Sequence, residues 1–195
     1  MRIHVITIGT EILLGHTQNS NLTFLGDTLA ANGYTISREV CIPDEPDTIA
    51  AALRDELSRA DLVVTMGGLG PTRDDMTKQV VARELGLDLQ VNEEVREHIR
   101  SYLAERHVSV DRESLRLQSM VPANATPIKN NNGTAPGLWC PTDGKVVVML
   151  PGPPREMRPM VADYLVPWIQ ERASVDMVRR TLQLGGVPES KAARR

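Results

Sequence analysis

The chain has 195 residues, of which 41% are apolar, 24% charged and 3% aromatic, and its formal net charge at pH 7 is −3. This length corresponds to one domain or slightly more, and an aliphatic, aromatic-poor core is typical of a parallel α/β domain. The negative charge and the scattered aromatic residues argue against a nucleic-acid-binding surface, which needs a basic face or a stacking platform.

No apolar run approaches the roughly 18 residues that a membrane-spanning helix requires. The amino-terminal stretch, residues 1–9, is too short and too polar to be a signal peptide. The two cysteines, Cys41 and Cys140, lie far apart and lack the spacing of metal ligands. We therefore expect a reduced cytoplasmic protein without a membrane partner, in which Cys41 lies buried and inert in a strand.

The first third of the chain alternates between apolar runs and amphipathic segments. Strands are predicted at residues 3–8, 34–42 and 61–66. Helices are predicted at about 19–31 and after residue 46, where Asp47 is in position to cap the second helix. Residues 9–15 are predicted to be a loop. This alternation predicts a parallel sheet with right-handed crossovers.

The remainder of the chain predicts more helices and one central strand. Helices are predicted at 72–85, 93–105 and 112–120, with a short apolar stretch at 87–91. Residues 121–144 are rich in loop signals. The apolar run 145–150 predicts a strand buried on both faces. A last helix carries a Met and Trp stripe, from Met157 to Trp168, that indicates core packing or a subunit contact rather than a ligand site.

The most informative stretch is residues 67–77, Gly-Gly-Leu-Gly-Pro-Thr-Arg-Asp-Asp-Met-Thr, which joins a strand to a helix. Glycine allows the backbone to approach an anion, and the first amides of a helix have no internal partners, so the stretch can cradle a phosphate. Asp74 and Asp75 would repel a bare phosphate, but they fit a site in which a divalent cation lies between them and the phosphate. The loop lacks the residues of a Walker loop and of a full dinucleotide-binding fingerprint. A purely local role, with Thr72 and Asp75 capping a helix, stays open.

Several predicted loops leave the carboxyl ends of strands, which is the edge where open parallel sheets bind ligands. These loops carry Glu11, Asp44, Asp74, Asp75 and Glu156. A cluster of carboxylates beside a phosphate cradle predicts a metal site better than any one of them does. Each also has a local alternative, since Asp44 can be a turn residue, Glu11 can be solvated and Glu156 can cap the last helix.

Several motifs in order along the chain resemble a known family. They are residues 9–15 (Gly-Thr-Glu-Ile-Leu-Leu-Gly), Asn21, Asp44, the stretch 67–77, Gln118, Asn130, residues 133–137 and residues 150–157 (Leu-Pro-Gly-Pro-Pro-Arg-Glu-Met). From about Met1 to Ile169, the chain resembles the amino-terminal domain of the CinA family of competence/damage-inducible proteins, within the wider molybdopterin-binding (MoaB/Mog-like) fold. The paired aspartates favour the CinA branch, because molybdopterin adenylyltransferases typically have a single Asp, which Asp75 would match.

The resemblance implies a three-layer α/β/α sandwich with a mostly parallel sheet over residues 1–170. It implies that residues 171–195 begin a connecting segment, and that the family's carboxyl-terminal nicotinamide-mononucleotide deamidase domain is absent. For the activity, it implies a metal-dependent pyrophosphatase that splits ADP-ribose or a related dinucleotide diphosphate into monophosphates. Two alternatives remain, namely molybdopterin binding with adenylyl transfer, and a non-catalytic nucleotide-binding module. Asn19 stands where the family usually has Asp, and an amide is the weaker metal ligand.

The predicted site has three groups of residues and several expected ligands. The catalytic residues are Asp75, Asp74, Glu11 and Asp44. The metal ligands are Asp74, Asp75 and Asp44. Phosphate- or nucleotide-binding roles fall to Gly67, Gly68, Leu69, Gly70, Pro71, Thr72, Asn21, Asn130, Gly133, Thr134, Pro151, Gly152 and Pro153. The expected cofactor is divalent Mg, Mn or Co, with a monovalent cation left open. The expected partners are a nucleotide diphosphate substrate and further copies of the chain, as a dimer or trimer, with the face from Met157 to Trp168 as a candidate contact.

Overall fold

The computed structural model describes residues 1–72, 74–172 and 186. Its strands are β1 (Ile3–Ile8), β2 (Ile36–Ile42), β3 (Leu62–Met66), β4 (Leu89–Val91), β5 (Met120–Pro122), β6 (Thr126–Ile128), β7 (Gly137–Thr142) and β8 (Lys145–Leu150). Its helices are α1 (Thr10–Leu13), α2 (Ser20–Ala31), α3 (Pro46–Arg59), α4 (Thr77–Glu84), α5 (Glu93–Ala104), α6 (Arg112–Gln118), α7 (Pro154–Met160) and α8 (Val166–Gln170), with a π-helical segment at Val161–Leu165 between the last two.

Six strands form the main sheet in the order β2-β1-β3-β8-β7-β6. The first four are mutually parallel, whereas β7 and β6 run antiparallel to their neighbours. The registers pair Ile8 with Ile42, and Met66 with Leu150, so the parallel strands end at a common edge. The predicted central position of residues 145–150 is confirmed, since β8 lies between β3 and β7.

Helices cover both faces of the sheet, because alternate residues of the apolar strands point to opposite sides. On one face Ile6 and Val63 pack against α3, α4 and α5. On the other face Val5 and Val64 pack against α2, α7 and the segments that follow α7. The predicted three-layer α/β/α architecture with a mostly parallel sheet is confirmed. None of the helices within the described residues has the length and apolarity that crossing a membrane requires.

Two details of the first half differ from the sequence prediction. Residues 9–15 are not all loop, because α1 occupies Thr10–Leu13. Asp47 does not cap α3. Glu45 holds the capping position, but its side chain accepts no hydrogen bond from a helix amide, and Pro46 at the first helical position sets the backbone for the helix.

The helix after the glycine-rich loop begins at Thr77, five residues later than the predicted start at Thr72. The reason is that Thr72 and Asp75 close a separate turn. The amide and hydroxyl of Thr72 donate to Asp75 Oδ2 at 2.8 and 2.5 Å. Met76 then holds the capping position without a side-chain hydrogen bond. The Thr-x-x-Asp pattern therefore shapes the loop and does not cap the helix.

Residues 121–144 are not a long loop. They contain most of β5, all of β6 and all of β7, and β5 pairs with β4 in a separate two-stranded antiparallel sheet. The predicted helix 112–120 consequently ends at Gln118, and Met120 begins β5.

The Met and Trp stripe of the last helices is part of the core. Met157, Met160, Val161 and Leu165 are buried against the sheet, which confirms core packing for these four residues. Cys41 is only half-buried rather than buried. The predicted connecting segment from residue 171 falls almost entirely outside the described residues.

Candidate functional site

A cavity of about 600 Å³ opens at the common carboxyl edge of the parallel strands. This size suits a small organic ligand or cofactor. Its walls come from the loops after β1, β2, β3 and β8, together with the start of α2. Of the predicted site residues, the cavity is lined by Glu11, Asn21, Asp44, Gly67, Gly68, Leu69, Gly70, Pro71, Thr72, Asp74, Asp75, Thr134, Pro151, Gly152 and Pro153. Only two of the predicted residues, Asn130 and Gly133, are not part of this lining.

The glycine loop, residues 67–72, turns sharply at its first two positions. Gly67 and Gly68 have φ angles of 110° and 68°, in the left-handed region that favours glycine. A Cβ at Gly68 would lie 2.1 Å from Thr77 Oγ1. Thr77 fastens the loop to α4, because its hydroxyl donates to Gly67 O at 3.0 Å and its amide donates to Gly68 O at 3.1 Å.

The middle of the glycine loop presents donors to the cavity. Within the described residues, the backbone amides of Gly68, Leu69 and Gly70 donate to no protein acceptor. Unpaired backbone donors at a ligand cavity need an acceptor from solvent or from a ligand. A row of such amides in a glycine-rich loop between a strand and a helix can bind an anion.

The charge around this row of amides is strongly negative. Five carboxylates line the cavity, from Glu11, Asp44, Asp74, Asp75 and Glu156, whereas no lysine or arginine among the described residues does. An anionic ligand would be repelled by these carboxylates unless a cation bound with it. Burial and then the charges of Glu39, Glu11 and Asp44 raise the pKa of the nearby Cys41 thiol, which is the effect expected of this negative field.

Three of the five carboxylates are tied by hydrogen bonds. Asp44 Oδ2 accepts from the amide and hydroxyl of Thr10 at 2.8 and 3.1 Å. Asp75 is held by Thr72, as described above, and Glu156 Oε2 accepts from Asn130 Nδ2 at 2.7 Å. By contrast, the carboxylates of Glu11 and Asp74 have no hydrogen-bond or ion-pair partner within the described residues.

The carboxylates surround the cavity but do not form a ready-made metal cage. Among the described residues, no group of three or more His, Cys, Asp or Glu side chains is arranged to hold a metal ion. Mg²⁺ sites that act on phosphates commonly use only one or two carboxylates, with phosphate oxygens and water as the other ligands. The spread carboxylates therefore fit a cation that arrives with a phosphorylated ligand better than one bound in advance.

Asn19 and Asn21 form the wall contributed by α2. Asn19 also lines the cavity, and it caps α2, since its Oδ1 accepts from Leu22 N at 3.1 Å while its Nδ2 donates to Thr7 Oγ1 at 3.0 Å. Asn21 is buried, and its Nδ2 donates to Gly152 O at 2.6 Å. Asn21 therefore connects the start of α2 to the loop after β8.

Asn130 and Gly133 lie behind the cavity wall. Asn130 is fully buried and its Nδ2 donates to Ala135 O and Glu156 Oε2, both at 2.7 Å. Gly133 leaves room for Glu156, because a Cβ there would lie 2.2 Å from Glu156 Oε2. Both residues thus position Glu156 and the loop that carries Thr134.

Two further residues support this loop and were not predicted. His98 Nε2 lies 3.3 Å from Gly133 O, and Tyr102 donates its hydroxyl to Asn132 O at 2.9 Å. They lie one helical turn apart on α5. That spacing predicts that the two side chains lie on the same face of the helix, but nothing in the sequence shows which loop they contact.

A buried lysine lies immediately beyond the glycine loop. Lys78 Nζ donates to the main-chain oxygens of Leu117 and Gln118 at 3.1 and 3.3 Å, at the end of α6. A cation at this position compensates the unpaired carbonyls of a helix end. Burial lowers the pKa of the Lys78 ammonium to about 8. Through Lys78, the end of α6 is therefore joined to α4, the helix that follows the glycine loop.

Fold and site together define an α/β protein with a glycine-loop cavity at the carboxyl edge of its sheet. Residues 4–171 match the family model described as a probable molybdopterin binding domain. A putative competence-damage inducible protein of Clostridium beijerinckii is 40% identical over 193 residues, which are 99% of this chain and 47% of that protein. A CinA-like protein of Gemmatimonas aurantiaca is 42% identical over 199 residues, 100% of this chain and 46% of that protein.

Solved structures agree with these relatives. The CinA protein of Thermoplasma acidophilum, described as of unknown function, has a TM-score of 0.78 at 38% identity, with 86% of this chain and 97% of that chain covered. The molybdopterin biosynthesis enzyme MoaB of Thermus thermophilus has a TM-score of 0.55 at 22% identity, with 87% and 96% covered, and shows the shared fold alone. The chain belongs to the CinA family, whose shared domain is a probable molybdopterin binding domain. It spans about half the length of the curated CinA relatives described above.

Proposed function

We propose that the cavity binds a phosphorylated organic ligand of the molybdopterin or nucleotide class, with its phosphate on the glycine loop. The observation that carries this proposal is the row of amides at Gly68, Leu69 and Gly70, three residues that line the cavity and whose amides have no acceptor within the described residues. Unpaired backbone donors of a glycine-rich loop suit phosphate oxygens. Membership of a family with a probable molybdopterin binding domain supports the same class of ligand.

We propose further that a divalent cation, Mg, Mn or Co, binds together with this phosphate. Asp74 is the first candidate ligand, because its carboxylate has no partner within the described residues and lies in the same loop as the amides. Asp75 and Asp44 accept hydrogen bonds through Oδ2 alone within the described residues, which leaves Oδ1 of each open, and they complete the candidate set. Such a cation would offset the five carboxylates that otherwise oppose a phosphate.

The reaction that these groups suit is hydrolysis of a diphosphate, such as that of ADP-ribose, to two monophosphates. A bound divalent metal would neutralise part of the phosphate charge and would lower the pKa of the water molecule bound to the metal. The amides of the glycine loop hold the phosphate oxygens in place for an in-line attack. The candidates to accept the proton of the attacking water are Glu11, Asp44 and Asp75.

Adenylyl transfer to a pterin is the second candidate reaction. It is favoured by the family description and by the fold shared with the Thermus MoaB protein. The second aspartate of the loop, Asp74, distinguishes this chain from the single-Asp pattern expected of adenylyltransferases, which places hydrolysis first. A module that binds a nucleotide without cleaving it is the third candidate, and Asn19 in the cavity wall is its main support.

The deciding experiment incubates the purified chain with ADP-ribose, with flavin dinucleotide, and with ATP plus a pterin, each with and without Mg²⁺, Mn²⁺ or Co²⁺. Metal-dependent release of AMP from ADP-ribose is the expected result. An adenylylated pterin formed from ATP would instead establish the transferase. Binding of nucleotide without any cleavage would establish the third candidate.

Two variants locate the reaction in the cavity. Asp74→Asn and Asp75→Asn keep the shape of each side chain and remove its charge, so we expect each to lower metal-dependent turnover by about a hundredfold or more. Asp143→Asn is the matched control, because Asp143 is exposed in the turn between β7 and β8. Full turnover in both loop variants would contradict the assignment of the metal to this loop.

A further inference from the structure

A second cavity, of about 450 Å³, is lined by residues of β4, α5 and α6. Within the described residues, it has no lining residue in common with the cavity at the sheet edge. We call it the arginine groove, because its charged lining residues are Arg96, Arg100, Arg112, Arg116, Glu93 and Glu113. We propose that the arginine groove binds a small organic ligand that carries a dianionic phosphate monoester. This proposal does not depend on which ligand the cavity at the sheet edge binds.

The four arginines form two pairs with helical spacing. Arg96 and Arg100 are four residues apart on α5, and Arg112 and Arg116 are four residues apart on α6. Residues at this spacing lie on the same face of a helix, and two like charges there destabilise it. Two such pairs around one cavity therefore require negative charge to compensate them.

The carboxylates of the groove compensate only two of the four cations. Arg96 Nη2 lies 2.5 Å from Glu93 Oε2. Arg116 donates to both oxygens of Glu113, at 2.9 and 2.8 Å. Four arginines and two glutamates leave the lining with a formal charge of +2. A ligand with two negative charges would restore neutrality.

Several donors of the groove have no good acceptor in the protein. Arg112 has no hydrogen-bond or ion-pair partner within the described residues. The only ion pair of Arg100 in the same part of the chain is with Glu97 at 3.6 Å, which is too long for a hydrogen bond. Arg96 Nε is buried and finds no acceptor among the described residues. Buried donors of this kind are unfavourable unless a ligand or solvent supplies the acceptor.

The position of Arg112 is not explained by the stability of α6. It is the first residue of the helix, where the helix dipole disfavours a positive charge. Capping does not need it either, since Asp111 Oδ1 already accepts from Ser114 N at 2.9 Å. A role in binding an anion accounts for a cation at this position.

The chemistry of the lining selects a phosphate monoester. The planar guanidinium group donates two parallel hydrogen bonds to the oxygens of a phosphate. A phosphate monoester is largely dianionic above pH 7, because its second pKa is about 6. Val91 and buried Leu115 add apolar surface for the organic part of the ligand. The volume lies within the range of small-molecule sites.

Calorimetric titration of the purified chain with phenyl phosphate, at pH 7.5 in the presence of EDTA, tests the proposal. Without a divalent cation, the five carboxylates of the other cavity oppose a phosphate there. Phenyl sulfate is the matched ligand, because it has a similar shape and a single negative charge. We expect phenyl phosphate to bind at least about tenfold more tightly than phenyl sulfate, and its affinity to fall as NaCl is added.

Substitutions assign the binding to the groove. Arg112→Gln and Arg100→Gln each remove one charge, so each should weaken phenyl phosphate binding by about tenfold. Arg112→Lys keeps the charge without the two-point geometry and should weaken it by only about threefold. Glu113→Gln releases Arg116 from its ion pair and should strengthen binding by about fivefold. Arg59→Gln, an exposed arginine of α3, is the matched control and should bind as the wild type does.

The outcomes are distinct from those of the ADP-ribose assay. Weaker binding in Arg112→Gln together with stronger binding in Glu113→Gln supports the proposal, whether or not the chain cleaves a diphosphate. No saturable binding of phenyl phosphate overturns it, as does equal affinity for phenyl sulfate. Wild-type affinity in both glutamine variants of the arginines also overturns it. Tighter binding of a hexaglutamate peptide than of phenyl phosphate would assign the groove to an acidic protein segment and contradict the proposal.

Discussion

At the scale of single residues, Gly68 is a position of the glycine loop that cannot accept a side chain without displacing its neighbours. It combines a left-handed backbone with a Cβ position 2.1 Å from Thr77 Oγ1. We expect Gly68→Ala to lower the free energy of unfolding by about 3 kcal/mol, from backbone strain plus overpacking. The same change should abolish pyrophosphate binding. Urea unfolding and calorimetric titration measure the two effects.

Gly144→Ala separates backbone strain from crowding. Gly144 has a φ of 76°, close to that of Gly68, but nothing lies within 4 Å of a Cβ placed there. Its replacement should lower the unfolding free energy by only about 1 kcal/mol and leave ligand binding intact. An equal loss of stability in the two variants would show that contact with Thr77 plays no part.

Lys78 gives the protein a specific pH dependence. Its native pKa of about 8 lies below the ordinary value of 10.5 because the ammonium is buried. The unfolded chain therefore binds more protons between pH 8 and about 10.5, and stability should increase with pH across this window. The burial penalty, about 3 kcal/mol, is fully present below pH 8. Urea unfolding at pH 7.5 and 9.5 should show the wild type gaining stability relative to Lys78→Met.

The control for this pH dependence is Lys129→Met. Lys129 is exposed, so its replacement should leave the pH dependence of stability the same as in the wild type. If Lys78→Met also shows the wild-type dependence, then the buried ammonium is not its source.

The sequence predicted most residues of the cavity because they follow strand ends, and parallel strands end at one edge. It did not predict the roles of Asn130 and Gly133, which support Glu156 from behind instead of contacting the cavity. The reason is physical: a polar residue in a loop has the same pattern whether its amide faces a ligand or a neighbouring carboxylate. Only the packing distinguishes the two.

At the scale of elements, the start of α2 depends on one side chain. Asn19 caps the helix through Leu22 N and also donates to Thr7. Asn19→Ala should lower the unfolding free energy by about 1 kcal/mol, the usual cost of a lost cap. Asn19→Asp should retain stability within about 0.5 kcal/mol and, if the cation binds as proposed, increase metal affinity. Thermal unfolding and metal titration test both expectations.

Asn92 is the matched control for this capping effect. It caps α5 in the same way, since its Oδ1 accepts from Val95 N at 3.0 Å, but it does not line the cavity. Asn92→Ala should cost the same 1 kcal/mol or so and leave metal and ligand binding unchanged. Weaker binding in this variant would mean that capping, and not position in the wall, governs the site.

Elements were predicted best where they were long and periodic. The strand 3–8 has the predicted bounds, and α2 and α5 differ from prediction by one residue at one end each. The three-residue strands β5 and β6 were missed because a segment of that length shows no periodicity. The late start of α4 was missed because a Thr-x-x-Asp turn and a capping box have the same sequence pattern.

At the scale of the whole molecule, the two ends of the sheet have different roles. The carboxyl end holds the cavity, whereas near the amino end buried Glu56 joins β1, β2 and α3. Its Oε2 lies 2.5 Å from His4 Nδ1, and its Oε1 accepts from Arg38 Nε at 2.9 Å. Arg38→Ala should lower the unfolding free energy by about 3 kcal/mol, because it leaves a buried carboxylate without its main cation.

Arg59→Ala is the control for this ion pair. Within the part of the chain that the structure describes, Arg59 pairs only with the part-buried Asp55, at 2.6 Å, so its loss should cost less than about 1 kcal/mol. Urea unfolding compares the two variants, and calorimetry should find that neither changes ligand affinity. A comparable loss of stability in both would show that the burial of Glu56 does not matter.

The turn between β7 and β8 has a practical consequence for handling the protein. Asp143 and Gly144 both have positive φ angles, and they join antiparallel strands whose flanking residues, Thr142 and Lys145, are paired. Since β8 runs parallel to β3, this turn lies at the sheet edge remote from the cavity. A circular permutant with new termini there, or a fluorescent reporter inserted there, would leave every wall of the cavity covalently continuous.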